Sequence, residues 1–338
     1  ISEVFIKAQG IIAGTTPVVN EQFDISFGND TDTLLRLKDL MSKADEVACD
    51  FETSSRDVWD EDFRTVTISF AMRINGKYIS IGIPLSHADS NIGPMESSLL
   101  YQILLEFASR GGRLIFHHAK FDFACMCRRW PAITPNSIRL LFKFHDTMIL
   151  HKILDENTSH KLKLLLARFT EMGGYDADIR SFIRSRNQED VIDSHEETGL
   201  GAFEQAPLQL LLRYNCMDAI GTLKLFYIFY PQVAENAQRL SMYEEMLLKT
   251  IIVTLSMESR GFPIDRAVVA ETKDKVEIDV GKTLEYLRSF SEVRMLEDLS
   301  KSEFNPKSDL QVRHLLYDMF GAPIEEHLNT ESGLPGTG

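Results

Sequence analysis

Two runs rich in β-branched and aromatic residues, Thr65–Ile74 and Lys77–Ile83, are separated by only Asn75-Gly76. Two residues leave room for nothing but a tight hairpin, and Asn-Gly is the pair that accepts positive φ at both central positions of the favoured turn. An antiparallel strand pair is therefore built into the chain. Val47–Glu52 reads as a strand before it. After it come a helix at Glu96–Arg110 closed by Gly111-Gly112, a strand at Arg113–His117, a helix from Ala119 and a short strand at Phe142–His145. A hairpin followed by strand–helix alternation predicts an α/β fold, with a mixed five-stranded sheet and helices packed on it.

The remaining stretches are mostly helical. Leu34, Leu35, Leu37, Leu40 and Met41 give Thr31–Lys43 one apolar face, and further helices are expected near 162–171, 208–230, 233–260 and 266–290. Residues 1–30 lack periodicity and are expected to form an arm or an edge strand. The polar, acidic stretch Gly173–Ala206 is expected to be loop-rich with one short helix, and Gly261-Phe262-Pro263 marks a boundary. Three parts result: an arm (1–30), an α/β domain (31–232) and a helical segment (233–338). At 338 residues the chain is long enough for two cores. It opens at Ile1 rather than Met, and its Gly/Pro-rich end resembles a connection, so further chain is expected on both sides.

Composition excludes some classes. No apolar run approaches the ~20 residues of a membrane helix, and no secretory signal is read, so no membrane role is expected. Cys49, Cys125, Cys127 and Cys216 suit neither a zinc site nor a disulfide framework, and are expected to be small buried residues. The net charge of −14 argues against a nucleic-acid partner unless cations reverse the local sign.

Three short patterns carry chemistry. In Asp50-Phe51-Glu52 both carboxylates project to one strand face while Phe51 points to the other. Adjacent like charges are costly unless a cation lies between them, and hard oxygen donors suit Mg²⁺ or Mn²⁺. Alone, the pattern is weak, because Asp-x-Glu occurs by chance in many exposed strands. His118-Ala119-Lys120-Phe121-Asp122 places a further carboxylate at a strand exit. Tyr214 and Asp218, four residues apart in an apolar helix, share a face. A hydrogen bond tying that helix to its neighbour would explain this pair by itself.

Asp50, Glu52, Asp122, Tyr214 and Asp218 occur in the order and with the flanks of the DEDD exonuclease superfamily, which this chain resembles. The branch with a histidine partner would place it five residues before the last aspartate, where Arg213 stands, so the resemblance is to the tyrosine branch. Phe144-His145-Asp146-Thr147, His160-Lys161-Leu162-Lys163, Arg260-Gly261-Phe262-Pro263-Ile264-Asp265 and Phe304-Asn305-Pro306-Lys307-Ser308 with Gln311 resemble segments of family A DNA polymerases, the polymerase I family. The resemblance runs from about Val47 to the C-terminus. It departs at His118, where asparagine is usual and the imidazole is expected to take over a hydrogen-bonding role. The palm and fingers are not within these residues.

The resemblance implies an RNase H-like proofreading 3'→5' exonuclease domain followed by a thumb-like helical segment. It implies two divalent metal ions, Mg²⁺ or Mn²⁺, held by Asp50, Glu52, Asp122 and Asp218, with Asp50 shared and Tyr214 orienting the attacking water. A tyrosine near pKa ~10 is a poor base at neutral pH. The substrate implied is the 3' end of single-stranded DNA, releasing 5'-mononucleotides. Thr53, His118, Lys120 and Phe121 are expected to contact it, with Lys163 as a helper, although strand-end threonine and solvated lysine explain Thr53, Lys120 and Lys163 as well. The implied partner is a polymerase palm and fingers, in the same polypeptide or in a separate subunit, within a bacterial or phage-infected cytoplasm. An RNase D-like exoribonuclease, or an inactive DNA-holding module of a split polymerase, are the alternatives.

Overall fold

The computed structural model describes residues 23–186 and 203–324. The chain divides into two compact units at Gly261–Phe262. In the first, β1 (Asp24–Phe27), β2 (Glu46–Thr53), β3 (Thr65–Ile74), β4 (Lys77–Pro84), β5 (Arg113–Phe116) and β6 (Lys143–Asp146) form one sheet in the order β1-β4-β3-β2-β5-β6. The helices are α1 (Thr31–Ser42), α2 (Pro94–Ser109), α3 (Ala119–Arg129), α4 (Pro135–Leu141), α5 (Thr147–Leu154), α6 (Leu162–Phe169), α7 (Ala177–Arg186) and α8 (Leu208–Ala234). They are followed by α9 (Ala237–Ser241), a π-wound turn (Met242–Leu247) and α10 (Leu248–Arg260). The fold is mixed α/β, as expected. The five expected strands are present, and β1, from the stretch read as an arm or an edge strand, adds a sixth by pairing in parallel with β4. Asn75 and Gly76 both take positive φ and close the β3–β4 hairpin.

β2 lies inside the sheet, antiparallel to β3 and parallel to β5, with both faces covered. Strand alternation sorts its side chains. Val47, Cys49 and Phe51 enter the larger core cluster with Leu34 and Leu37 of α1, Leu100 and Leu104 of α2, and Phe123 of α3. Ala48 enters a second cluster with Ala219, Ile220 and Leu223 of α8. Asp50 and Glu52 share the parity of Ala48, so alternation aims them at the α8 side. α8 lies close to the sheet because small residues allow it: a Cβ on Gly82 of β4 would meet Cys216 Sγ at 3.0 Å.

The short helices α4 and α5 were not foreseen, and the long helix expected over 233–260 is interrupted by the π turn. That widened turn sends Tyr243 into full burial, where its hydroxyl accepts from the Asp146 N–H (2.9 Å) and meets His145 Nδ1 (3.2 Å). Residues 237–260, grouped by sequence with the helical tail, belong to the first unit, and Ile251, Ile252 and Leu255 join its larger core. The expected short helix between Gly173 and Ala206 is α7. Residues 187–202 of that stretch, and 1–22 of the expected arm, lie outside the described residues.

The second unit holds α11 (Arg266–Arg288), α12 (Ser291–Ser300), α13 (Asp309–Arg313) and a π-wound turn (His314–Met319) around Val293, Leu296, Phe304 and Leu315. Ser308 caps α13, and Gln311 Oε1 accepts from the Asn305 N–H at 2.7 Å. The Asn305…Ser308…Gln311 pattern is thus a self-bonded turn. No helix among the described residues is long and apolar enough to cross a membrane.

Tyr243→Phe leaves the buried Asp146 N–H without its partner. The expected loss is about 1–3 kcal/mol in urea unfolding, with little change in secondary structure by circular dichroism.

Candidate active site

The sheet brings Asp50, Glu52 and Asp218 together: one ligand oxygen from each lies within 4.8 Å of the others. Asp50 and Glu52 come from the end of β2, and Asp218 comes from α8 above them. Asp122, 3% exposed, approaches from the N-terminus of α3. β5 pairs with β2 only as far as Ala48–Ile115. Beyond that point the Phe51 N–H is turned toward Asp122 and favours its ionised form, which places the fourth carboxylate beside the same strand end.

One buried residue sets up that approach. Asp146, at the end of β6, accepts from the N–H groups of Met148 and Ile149 at the start of α5, and from Ala119 (2.8 Å) and His118 (3.3 Å) at the start of α3. A single carboxylate therefore serves two helix N-termini, where negative charge is favoured. His117, kept neutral by burial with its pKa near 3, bonds Thr147 Oγ1 (2.8 Å) and His160 O (2.9 Å). This holds the chain leading into α6 against the strand end.

The electrostatics are those of crowded acids. Burial, then the Asp218 charge, pushes Asp50 well above the usual carboxylate range, against the pull of Lys163 and Asn215. Burial, then the charges of Asp50 and Asp146, does the same to Asp122. Asp218 is also raised by burial, less strongly, because Lys163, Tyr175 and Tyr214 all hydrogen-bond it. Burial and the surrounding carboxylates drive the Tyr214 hydroxyl well above its ordinary value, so it is a neutral donor at physiological pH. Three clustered carboxylates, two buried and one half-buried, repel one another and suit hard divalent cations rather than solvent.

Sequence reading missed Asn215. It is fully buried in an otherwise apolar helix, a signal that could have singled it out. Its Nδ2 donates to Asp50 Oδ2 (2.6 Å) and Asp50 O (3.2 Å), while its Oδ1 accepts from Thr67 Oγ1 (3.1 Å). It thereby orients Asp50. Tyr175 was also missed: its ring lies 6.3 Å from that of Tyr214, and its hydroxyl donates to Asp218.

The residues expected at the substrate fall in two places. Thr53 is buried at the β2 bulge and donates to Ser55 O at 2.8 Å. His118, Lys120 and Phe121 line a cleft of about 210 Å³ with Arg56, Trp59 and Glu258. Lys120 Nζ pairs with Glu258 at 2.5 Å. The His118 imidazole makes no helix-capping hydrogen bond. It lies nearly parallel to the Phe121 ring at 6.5 Å, and the bond to Asp146 comes from its backbone.

Over residues 27–234 the chain matches the model of the 3'-5' exonuclease domain of family A DNA polymerases, and it belongs to that family. Relatives include the DNA polymerase of Escherichia phage T5 (27% identical over 76% of this chain and 30% of that protein). Another is DNA polymerase I of Borreliella burgdorferi (24% identical, 89% and 29%). The DNA polymerase of Bacillus phage SP01 is 23% identical, over 86% and 32%. The chain thus spans about a third of the length of the curated relatives it matches. RNase D from Trypanosoma brucei aligns with a TM-score of 0.48 at 12% identity, covering 74% of this chain and 78% of that one.

Because Asp122 is raised, the folded protein binds a proton there that the unfolded chain has released, and stability is lost as pH climbs through that window. In chelator, Asp122→Asn is therefore expected to be more stable than the unsubstituted protein at about pH 8, with the gap closing toward about pH 4, as followed by thermal unfolding across pH.

Proposed function

We propose that this chain hydrolyses the 3'-terminal phosphodiester of single-stranded DNA as the proofreading part of a longer family A DNA polymerase. The observation that carries the proposal is the convergence of Asp50, Glu52 and Asp218 within 4.8 Å, with Asp122 and the neutral Tyr214 hydroxyl beside them. Two divalent cations, Mg²⁺ or Mn²⁺, would supply a water made acidic by coordination and a clamp on the leaving oxygen. Asp50, Glu52 and Asp218 would hold one of them, and Asp50 with Asp122 the other.

The chain's own groups do the rest. Asn215 orients the Asp50 carboxylate through one hydrogen bond to Oδ2 and holds the backbone beside it through a second to Asp50 O, so a ligand carboxylate meets its cation already oriented. Tyr214 acts as a donor that aligns the attacking water rather than as a base, since burial and nearby carboxylates keep its proton on. Nucleotides next to the scissile bond would run along the cleft of His118, Lys120 and Phe121, with Thr53 shaping the strand-end bulge. Phe121 offers a ring face to a base and Lys120 a charge to a phosphate. Cations at the acidic cluster resolve the conflict between a polyanionic substrate and a net charge of −14.

In this proposal residues 31–232 carry the exonuclease and the helical unit after Gly261 begins a thumb. Polymerisation belongs to a palm and fingers in the same polypeptide or in a partner subunit, working in the cytoplasm of a bacterium or a phage-infected host.

With 5'-labelled single-stranded DNA and Mg²⁺, a ladder shortening from the 3' end is expected, abolished by chelator. Asp50→Ala should lower the rate at least about 1,000-fold, and Tyr214→Phe by about 10- to 100-fold, without loss of fold. Full activity in Asp50→Ala would sink the proposal. An RNA strand of the same sequence, cut faster than DNA, would move the substrate class to RNA.

A further inference from the structure

Lys163 stands one residue into α6, and its ammonium contacts both carboxylate oxygens of Asp218. Both side chains are largely buried, Lys163 at 16% and Asp218 at 6% exposure. The same nitrogen donates to Tyr175 Oη at 2.9 Å, and the Tyr175 hydroxyl in turn donates to Asp218. It also lies 4.3 Å from the centre of the Tyr214 ring and 5.0 Å from that of Tyr175. Its charge reaches Asp50 as well. A cation thus already sits in the acidic cluster, and it belongs to the protein.

We propose that Lys163 is the site's resident counter-cation: tethered by Tyr175, its ammonium occupies the Asp218 carboxylate and must leave it before a divalent cation can take those oxygens. This rests on the divalent-cation reading of the cluster given above. The two occupancies exclude each other, because an ammonium bonded to both oxygens of Asp218 stands where an ion bound by Asp218, Glu52 and Asp50 has to stand. Lys163 has somewhere to go. Leu165 and Leu166, fully buried in the second core cluster, fix the α6 backbone, while the four-carbon stem remains free to swing. The Tyr175 oxygen and the two aromatic faces would still solvate the ammonium once Asp218 is released. Without such a charge, the empty site would hold several buried carboxylates facing one another. Lys163 is thus a positioning residue that keeps the metal-free fold intact and sets the metal concentration at which the site fills.

Titration calorimetry of Mn²⁺ into the chain tests this without reference to activity. Lys163→Met and Lys163→Gln should bind Mn²⁺ at least about fivefold more tightly than the unsubstituted protein, with Lys163→Arg staying within about twofold, since a paired ammonium of this kind is worth about 1 kcal/mol. In chelator, Lys163→Met should melt at a lower temperature than the unsubstituted protein, and Mn²⁺ should raise its melting point by the larger amount. Lys163→Gln, which can keep a hydrogen bond to Tyr175, serves if the methionine variant folds poorly. Equal or weaker Mn²⁺ binding in the neutral variants overturns the counter-cation role while leaving the exonuclease proposal standing. Absence of Mn²⁺ binding by the unsubstituted protein, matched by Asp50→Ala, overturns both.

Discussion

Repulsion among carboxylates at the end of β2 is the constraint around which the first unit is arranged. Strand alternation sends Asp50 and Glu52 toward the face that α8 covers, so these acids are partly removed from water whether or not a cation is present. A buried acid facing other acids is tolerated only if something answers it. Here the answers are specific. Asn215 grips Asp50, the Phe51 N–H is turned toward Asp122, and Lys163, Tyr175 and Tyr214 converge on Asp218. The contacts to Asp50 and Asp218 require α8 to lie close to the sheet, which the small residues Ala48 and Gly82 permit, and Gly221 lets α8 meet Leu166 of α6 with no side chain between them. Residues that look like plain packing thereby govern the electrostatics.

The scaffold beneath the site follows the same economy of polar groups. Asp146 is a buried acid like the others, yet it is satisfied by four backbone N–H groups from two helices, and Tyr243 meets its own N–H from the far side of the sheet end. The helix α3 that presents Asp122 is therefore referenced to β6 and to the π turn at once. A shift in any of these would carry Asp122 away from Phe51. The placement of α3 thus comes from backbone partners, whereas Lys163 reaches Asp218 on a long flexible stem.

Much of this was legible in the sequence, for identifiable reasons. Strands β2 to β6 announced themselves through apolar runs bounded by turn residues, and the parity of Asp50 and Glu52 followed from strand geometry alone. The five residues Asp50, Glu52, Asp122, Tyr214 and Asp218 were picked out by order and flanks. What escaped was whatever depends on how a helix is turned against the sheet. Asn215, Tyr175 and the grip of Lys163 on Asp218 arise from the rotation of α8 and the docking of α6, and local periodicity carries neither. Helices α4 and α5 span only about two turns, too few for an apolar period to show, and β1 joins the sheet through pairing with β4 rather than through any pattern of its own. The π turn is invisible because it adds one residue to a helical circuit without changing composition.

His118 illustrates how a backbone requirement can pass for a side-chain one. Its φ of 80° and ψ of 53° lie in the left-handed region, where an ordinary side chain costs roughly 1 kcal/mol and asparagine or glycine much less. An asparagine here would meet the same corner between β5 and α3 at lower backbone cost, whatever hydrogen bond its amide made. Variation here should follow tolerance of that corner: small or short polar residues can exchange with histidine, while valine, isoleucine and threonine would unseat the helix that carries Asp122. The position acts as a geometric filter on sequence drift, set by torsion in addition to any role in the cleft.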